Sequence, residues 1–296
     1  MISFCERVRL VVIGLGFYFG ILSLVTAELP FETVFKDDAK FQRLRQQGEN
    51  WRKLPLGERT AAVGRSLCGT PYKGFTLEIH DCVEAPSINL TGLDCWTFFE
   101  VSLAFARMLE EPSAHWTPQS MLKYVERDRY RGGKCDGTYL SRLHYLEEWF
   151  ADNHRRGLIE DLTGQLGGVR VNHSACEMTV NWRSYRYLRA NPGLREGIRK
   201  MEARVAGLGM LHIPKAAVAS IESKIRSGDV IGITTHDSGG IGTSHVGLAY
   251  RDSEGVLRFM HASAPRNHGK VVLDSRLSEY LERFSSNAGV MIGRPR

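Results

Sequence analysis

After residue 27 the chain contains no apolar run long enough to cross a bilayer. It has no CxxC pair, and His80-Asp-Cys82 and His173-Ser-Ala-Cys176 stand isolated, so neither a structural zinc site nor another metal site is expected. Gly (30) and Pro (10) are too few among 296 residues for a collagen or a low-complexity chain. No basic run is interleaved with aromatics, so the formal net charge of +6 does not imply nucleic-acid binding. Gly239-Gly-Ile-Gly242 lacks the Gly-Lys-Ser/Thr ending of a phosphate-binding loop. What remains is an ordinary globular balance, 43% hydrophobic and 24% charged, with chain enough for one large domain or two.

The first residues read as a leader. Arg7 and Arg9 form a short basic region, the stretch 10–27 is uncharged and mostly apolar, and Val25-Thr-Ala27 offers the small residues of a cleavage site. A signal peptide over 1–27 is predicted, hence an exported protein, periplasmic or extracellular, with no stable membrane anchor after cleavage. The alternative is an uncleaved anchor made of the same residues. Loss of Glu6, Arg7 and Arg9 leaves a mature charge of +5, suited to polyanionic surroundings such as a cell wall. Five cysteines remain, Cys68, Cys82, Cys95, Cys135 and Cys176, and the odd count predicts two disulfides and one free thiol.

Residues 28–55 read as a polar helical segment, and 56–67 as a short amphipathic helix. Gly69-Thr-Pro-Tyr72 stops it, and 74–79 is expected to be extended. A nearly all-apolar helix follows from Cys95 to Met108, the signature of a central, buried element. The stretch 112–227 is charged and reads as a helical insertion, clearest over 140–153 and 193–207, with a loop at 164–168. Beyond it, strands are predicted at 229–235, 245–250, 256–261, 270–273 and 289–292, with a flexible loop around Gly239, Gly240 and Gly242. Helices first and a small antiparallel sheet second give an α+β fold, with a main domain over 56–296.

Asp94 is a good N-cap residue, which places Cys95 in the first helical turn, where free N–H groups and the helix dipole favour a thiolate. A buried structural Cys is the plain alternative. Folding 245–261 as a symmetric hairpin about 251–255 sets Tyr250 opposite Val256 and His245 opposite His261. A general base oriented by a second polar side chain is what a cysteine nucleophile requires. The adjacent Glu147-Glu148 suggests a glycosidase acid pair, but neighbouring helical residues point about 100° apart, so a solvated helix face is the expected reading.

Several segments together carry a resemblance. They are Gly69-Thr-Pro-Tyr72 with Thr76-Leu-Glu78; Asn89-Leu-Thr-Gly-Leu-Asp-Cys95 with Thr97, Phe98 and Glu100; and Ser141-Arg-Leu-His-Tyr145 with Trp149 and Asp152-Asn153. Ile213-Pro-Lys215, Ser227-Gly-Asp229, Ile233-Thr-Thr235, Ser244-His-Val-Gly247 and His261-Ala-Ser263 continue the series. In this order they resemble the bacterial N-acetylmuramoyl-L-alanine amidase-like family, papain-like cysteine hydrolases related to NlpC-type cell-wall peptidases. The resemblance spans about 56–293. It implies a papain-like fold and a Cys95–His245–His261 triad, with a peptidoglycan or muropeptide substrate and no cofactor. It also implies substrate contacts at Tyr72, Asp94, Trp96 and His144, the last in a family-like motif where a structural role stands beside it. Two features differ from NlpC-type enzymes: Trp96 stands where they usually carry Ser, and 150 residues separate Cys95 from His245. The expected activity is muramoyl-L-alanine amide hydrolysis. A stem-peptide endopeptidase or acyltransferase on the same triad, or a non-catalytic wall-binding module, stands beside it.

Overall fold

The computed structural model describes residues 29–237 and 240–296. The predicted leader and its cleavage site lie outside the described residues, as does Gly239. Among the described residues, no helix is long and apolar enough to cross a membrane.

Helices α1 (Asp38–Trp51) and α2 (Leu56–Ser66) precede α3 (Cys95–Met108). Apolar side chains cover α3 nearly all round, and Phe98, Phe99, Leu103, Phe105 and Met108 are fully buried, so it is a core helix. α4 (Pro118–Arg129) starts with Thr117 as cap and proline at its first position, where the missing N–H costs nothing. There follow α5 (Leu146–Arg155), β1 (Ile159–Asp161), β2 (Val169–Val171), α6 (Arg195–Leu208), β3 (Met210–Pro214) and α7 (Lys215–Ile221). The last third contains β4 (Val230–Asp237), β5 (Gly240–Arg251), β6 (Leu257–Ala262), β7 (Val271–Arg276), α8 (Leu277–Glu282) and β8 (Asn287–Pro295).

These eight strands form one antiparallel sheet in the order β2-β3-β8-β4-β5-β6-β7, with β1 also on β8, and a separate short parallel pair joins Phe35–Lys36 to Ile88–Asn89. Both faces are covered, so successive side chains of a strand enter different cores. Val230, Val246, Leu248 and Met260 pack on the side of α3. Ile231, Ile233, Ala249, Phe259 and Ile292 pack with α7 and α8. Gly64 lets α2 lie close to the sheet, because a Cβ there would come within 2.8 Å of Met260 and 3.1 Å of Leu248.

The α+β fold is as expected, but the sheet is larger. Three of its strands, β1, β2 and β3, come from the stretch read as helical. Two of these are three residues long, too short to show a period-two pattern. Gly240 and Gly242 are strand residues paired with Asp237 and Thr235, not loop, and 74–79 forms no strand, with a turn at 76–77. Cys68, Cys95, Cys135 and Cys176 are all free thiols, so the expected two disulfides are not formed. The β5–β6 register also differs. Leu248 faces Met260 and Tyr250 faces Arg258, a shift of two residues from the symmetric hairpin. The tight turn at 252–256, closed by Asp252 N–H to the Val256 carbonyl at 3.0 Å, sets that register.

Candidate active site

The site is assembled where the start of α3 meets β5. Asp94 is extended, and its Oδ1 accepts from the Thr97 N–H at 2.8 Å and the Thr97 hydroxyl at 2.7 Å. Thr97 Oγ1 in turn accepts from the Asp94 N–H at 2.9 Å, a reciprocal capping box that fixes the first turn. Cys95 is therefore the first helical residue. Its Sγ is hydrogen-bonded by the backbone N–H of Val246, with those of Trp96 and Cys95 itself close by. Val246 follows His245 in β5, so the start of α3 packs against the strand that carries the imidazole.

Burial, and then the Asp94 carboxylate, push the Cys95 thiol up to about 12 against the pull of those N–H groups. The N–H groups at the helix start lower the thiol as expected, but desolvation of the sulfur outweighs them. Burial, and then His261, pull His245 down to about 3. These shifts leave the sulfur a thiol and the imidazole neutral.

His245 Nε2 lies 2.8 Å from His261 Nδ1, with the rings at 89°. The two-residue register shift makes this a diagonal contact rather than a directly opposed pair. It survives because a shift by an even number keeps both side chains on one face. Gly247 lies between them on that face; a Cβ there would come within 2.7 Å of the Phe259 ring. Phe259 stacks on His261 with centroids 4.7 Å apart, and Tyr280 of α8 closes over both at 5.1 Å from His261. His261 is only 2% exposed.

The sequence reading stopped β7 at Leu273 and so missed Asp274. Its Oδ2 lies 3.2 Å from His261 Nε2 and accepts from Arg283 Nη2 at 2.8 Å, and its Oδ1 accepts from the Ser275 N–H at 2.7 Å. Against burial, these bonds hold the Asp274 carboxyl well below the usual carboxylate range. A hairpin reading of β6 and β7, like that applied to β5 and β6, would have brought Asp274 into view. A cavity of about 330 Å³ opens on this side, lined by His261, His268, Asp274, Tyr280 and Arg283 among others.

The predicted substrate residues divide. The Tyr72 N–H donates to the Gly269 carbonyl at 2.8 Å, and residue 72 bridges to Leu93, so Tyr72 sits between the sheet edge and the start of α3. Burial, then the charges of Cys95 and Asp94, push its phenol up to about 12. Burial also raises Asp94, opposed by Thr97 and Arg129. Trp96 is half-buried and packs edgewise on Phe99 at 5.7 Å, against the core. The structure does not bring His144 to this cluster. Its Nε2 contacts the Tyr139 carbonyl at 2.8 Å, and burial and then Arg142 hold it well below the ordinary histidine range. Glu147 and Glu148 are buried, not on the solvated face expected, and they diverge because each is held by partners within the fold: the first meets Thr243 and His173, the second Arg131. A groove of about 1050 Å³ between α1, α2 and residues 294–296 contains none of the predicted site residues.

A family model described as AmiA-like, N-acetylmuramoyl-L-alanine amidase-like, matches residues 62–289. Solved structures are similar as well. An N-acetylmuramoyl-L-alanine amidase from Bacteroides uniformis shares 29% identity at a TM-score of 0.72, over 81% of this chain and 99% of that one. A proposed xylanase from Bacteroides fragilis shares 32% identity at a TM-score of 0.70, over 79% and 99%. A Legionella pneumophila protein, 21% identical over 87% and 94% with a TM-score of 0.64, shares the fold. Comparison with curated proteins finds no match.

Proposed function

The chain belongs to the N-acetylmuramoyl-L-alanine amidase-like family, and from that premise we propose that it is an exported, papain-like cysteine amidase of peptidoglycan. The observation that carries this reading is the contact of the Cys95 thiol with the N–H of the residue after His245, while His245 itself is held by His261. A thiol at a helix start, a base, and a second imidazole behind the base are the parts of nucleophilic amide hydrolysis.

In this mechanism His245 removes the Cys95 proton as the sulfur attacks the amide carbonyl. Backbone N–H groups at the start of α3 stabilise the oxyanion. His245 then gives the proton to the leaving amine, which departs as the tetrahedral intermediate collapses to a thioester. Water, deprotonated by His245, attacks the thioester and releases the carboxylic acid and the thiol. His261 holds the His245 ring in place throughout.

The bond that the family's description names, and that we propose is cut, is the amide between muramic acid and L-alanine. A second reading has its own support: Asp94 precedes Cys95 and Tyr72 bridges to Leu93 just before it, where they could hold the free amine of a trimmed stem peptide, and cleavage would then fall within the peptide. Mass spectrometry of digested, purified peptidoglycan separates the two. Intact stem peptides beginning at L-alanine, with peptide-free glycan, are expected; stems cut internally would overturn the amidase reading. The xylanase label of one neighbour finds no support in Glu147 and Glu148, whose carboxylates are committed to separate partners.

A further inference from the structure

We infer that Asp274 is a positioning residue that sets the tautomer of the base His245 through His261, with Arg283 fixing its carboxylate. This rests on the reading of Cys95 and His245 as nucleophile and base. The argument counts protons along a line of contacts. Asp274 is ionised and can only accept. His261 Nε2, 3.2 Å from Asp274 Oδ2, must therefore carry the proton of that ring. A neutral His261 then has a bare Nδ1, which can only accept from His245 Nε2 at 2.8 Å. His245 is thereby the Nε2–H tautomer, and its lone pair resides on Nδ1, the one ring nitrogen left for the thiol of Cys95. One carboxylate, two rings away, leaves the base with the right nitrogen unprotonated.

Loss of the carboxylate releases the constraint without any change in the number of protons. His261 can move its proton to Nδ1 and donate it to His245 Nε2. His245 then carries its proton on Nδ1 and has nothing with which to accept one from sulfur. The carboxylate also stabilises the imidazolium that forms when His245 takes the Cys95 proton, since positive charge on His245 can be shared along the same line.

The surroundings are built to hold this anion. Arg283 Nη2 donates to Asp274 Oδ2 at 2.8 Å, and His268 Nε2 lies 3.6 Å from the same oxygen. The Asp274 side chain is 7% exposed and borders the 330 Å³ cavity. Removing it enlarges a space that already has an arginine and a histidine on its wall, and a small carboxylate can enter there.

The test uses Asp274→Ala and the shape-conserving Asp274→Asn in the full mature chain. Both should lower turnover by about 10- to 100-fold, the range for groups behind a first ligand or base, with KM little changed. Nitrogen-15 NMR of the histidine rings should show His245 as the Nε2–H tautomer in the wild type and largely Nδ1–H in Asp274→Ala. Added formate should restore Asp274→Ala turnover by about tenfold or more, whereas chloride should not, and Arg283→Ala placed on top should abolish that rescue. A folded variant with lost turnover but an unchanged His245 tautomer and no formate rescue would overturn the inference, because Asp274 would then be only structural. Full turnover in Asp274→Ala would overturn it too. The NMR readout does not depend on the reaction, so failure of the underlying reading is seen separately, as Cys95→Ala retaining activity.

Discussion

At the scale of single residues, the candidate site turns on what stands between His245 and His261. The sequence pattern placed both on one face of a hairpin, and that much survives a register error of two residues, since only odd shifts exchange faces. The pattern could not show that the contact is diagonal, because the closing turn uses the Asp252 side chain and its exact span is not written in alternation. Nor could it show why Gly247 is glycine. A Cβ at that position would meet the Met260 carbonyl at 2.5 Å and the Phe259 ring at 2.7 Å, and Phe259 is the platform on which His261 stacks. Gly247→Ala should therefore cost about 1–3 kcal/mol of stability in urea unfolding, as overpacking does. At a temperature where it remains folded, its turnover should fall by more than its folded fraction. A Gly247→Ala protein with wild-type turnover would mean that the Phe259–His261 stack is dispensable.

At the scale of elements, α3 was the most legible part of the chain. A nearly all-apolar stretch behind Asp-Cys announces a buried helix with its cap, and the helix begins at Cys95 as read. The electrostatics of its first turn were not legible, because they depend on how deeply β5 buries the sulfur. The capping role and the charge of Asp94 can be separated. Asp94→Ala removes a cap and should cost about 1 kcal/mol, whereas Asn caps equally well and should leave stability near that of the wild type. The Asp94 carboxylate raises the Cys95 thiol, so Asp94→Asn should make that thiol more acidic. Its alkylation at a fixed, mildly alkaline pH should be faster than in the wild type. Slower alkylation would mean that Asp94 favours the thiolate after all. A loss of turnover confined to stem peptides with a free amine would point to the endopeptidase reading.

At the scale of the molecule, the α+β class and the late sheet followed from the shift in pattern near Gly228, where charged helical stretches give way to short apolar runs. The insertion proved less separate than its composition suggested. β3 pairs with β8, and β2 with β3, so the stretch read as helical extends the sheet. Its loop also holds the strand that carries His245: the Ile241 N–H donates to the Asn172 carbonyl at 2.9 Å, and the Thr243 hydroxyl donates to Glu147 of α5 at 2.9 Å. Arg107 of α3 reaches the Leu158 and Arg296 carbonyls, both at 2.5 Å, and ties the central helix to the end of the chain. Such contacts join residues far apart in sequence, and no local pattern announces them. They hold α3 and β5 in the relation on which the proposed nucleophile and base depend. The central claim is that Cys95 performs the chemistry. It is tested most directly by the turnover of purified peptidoglycan fragments by the wild type and by Cys95→Ala, with thermal unfolding as the check on fold. The account predicts a loss of about 10³-fold or more with the melting temperature little changed; a Cys95→Ala protein that releases the same products at a near-normal rate would contradict it.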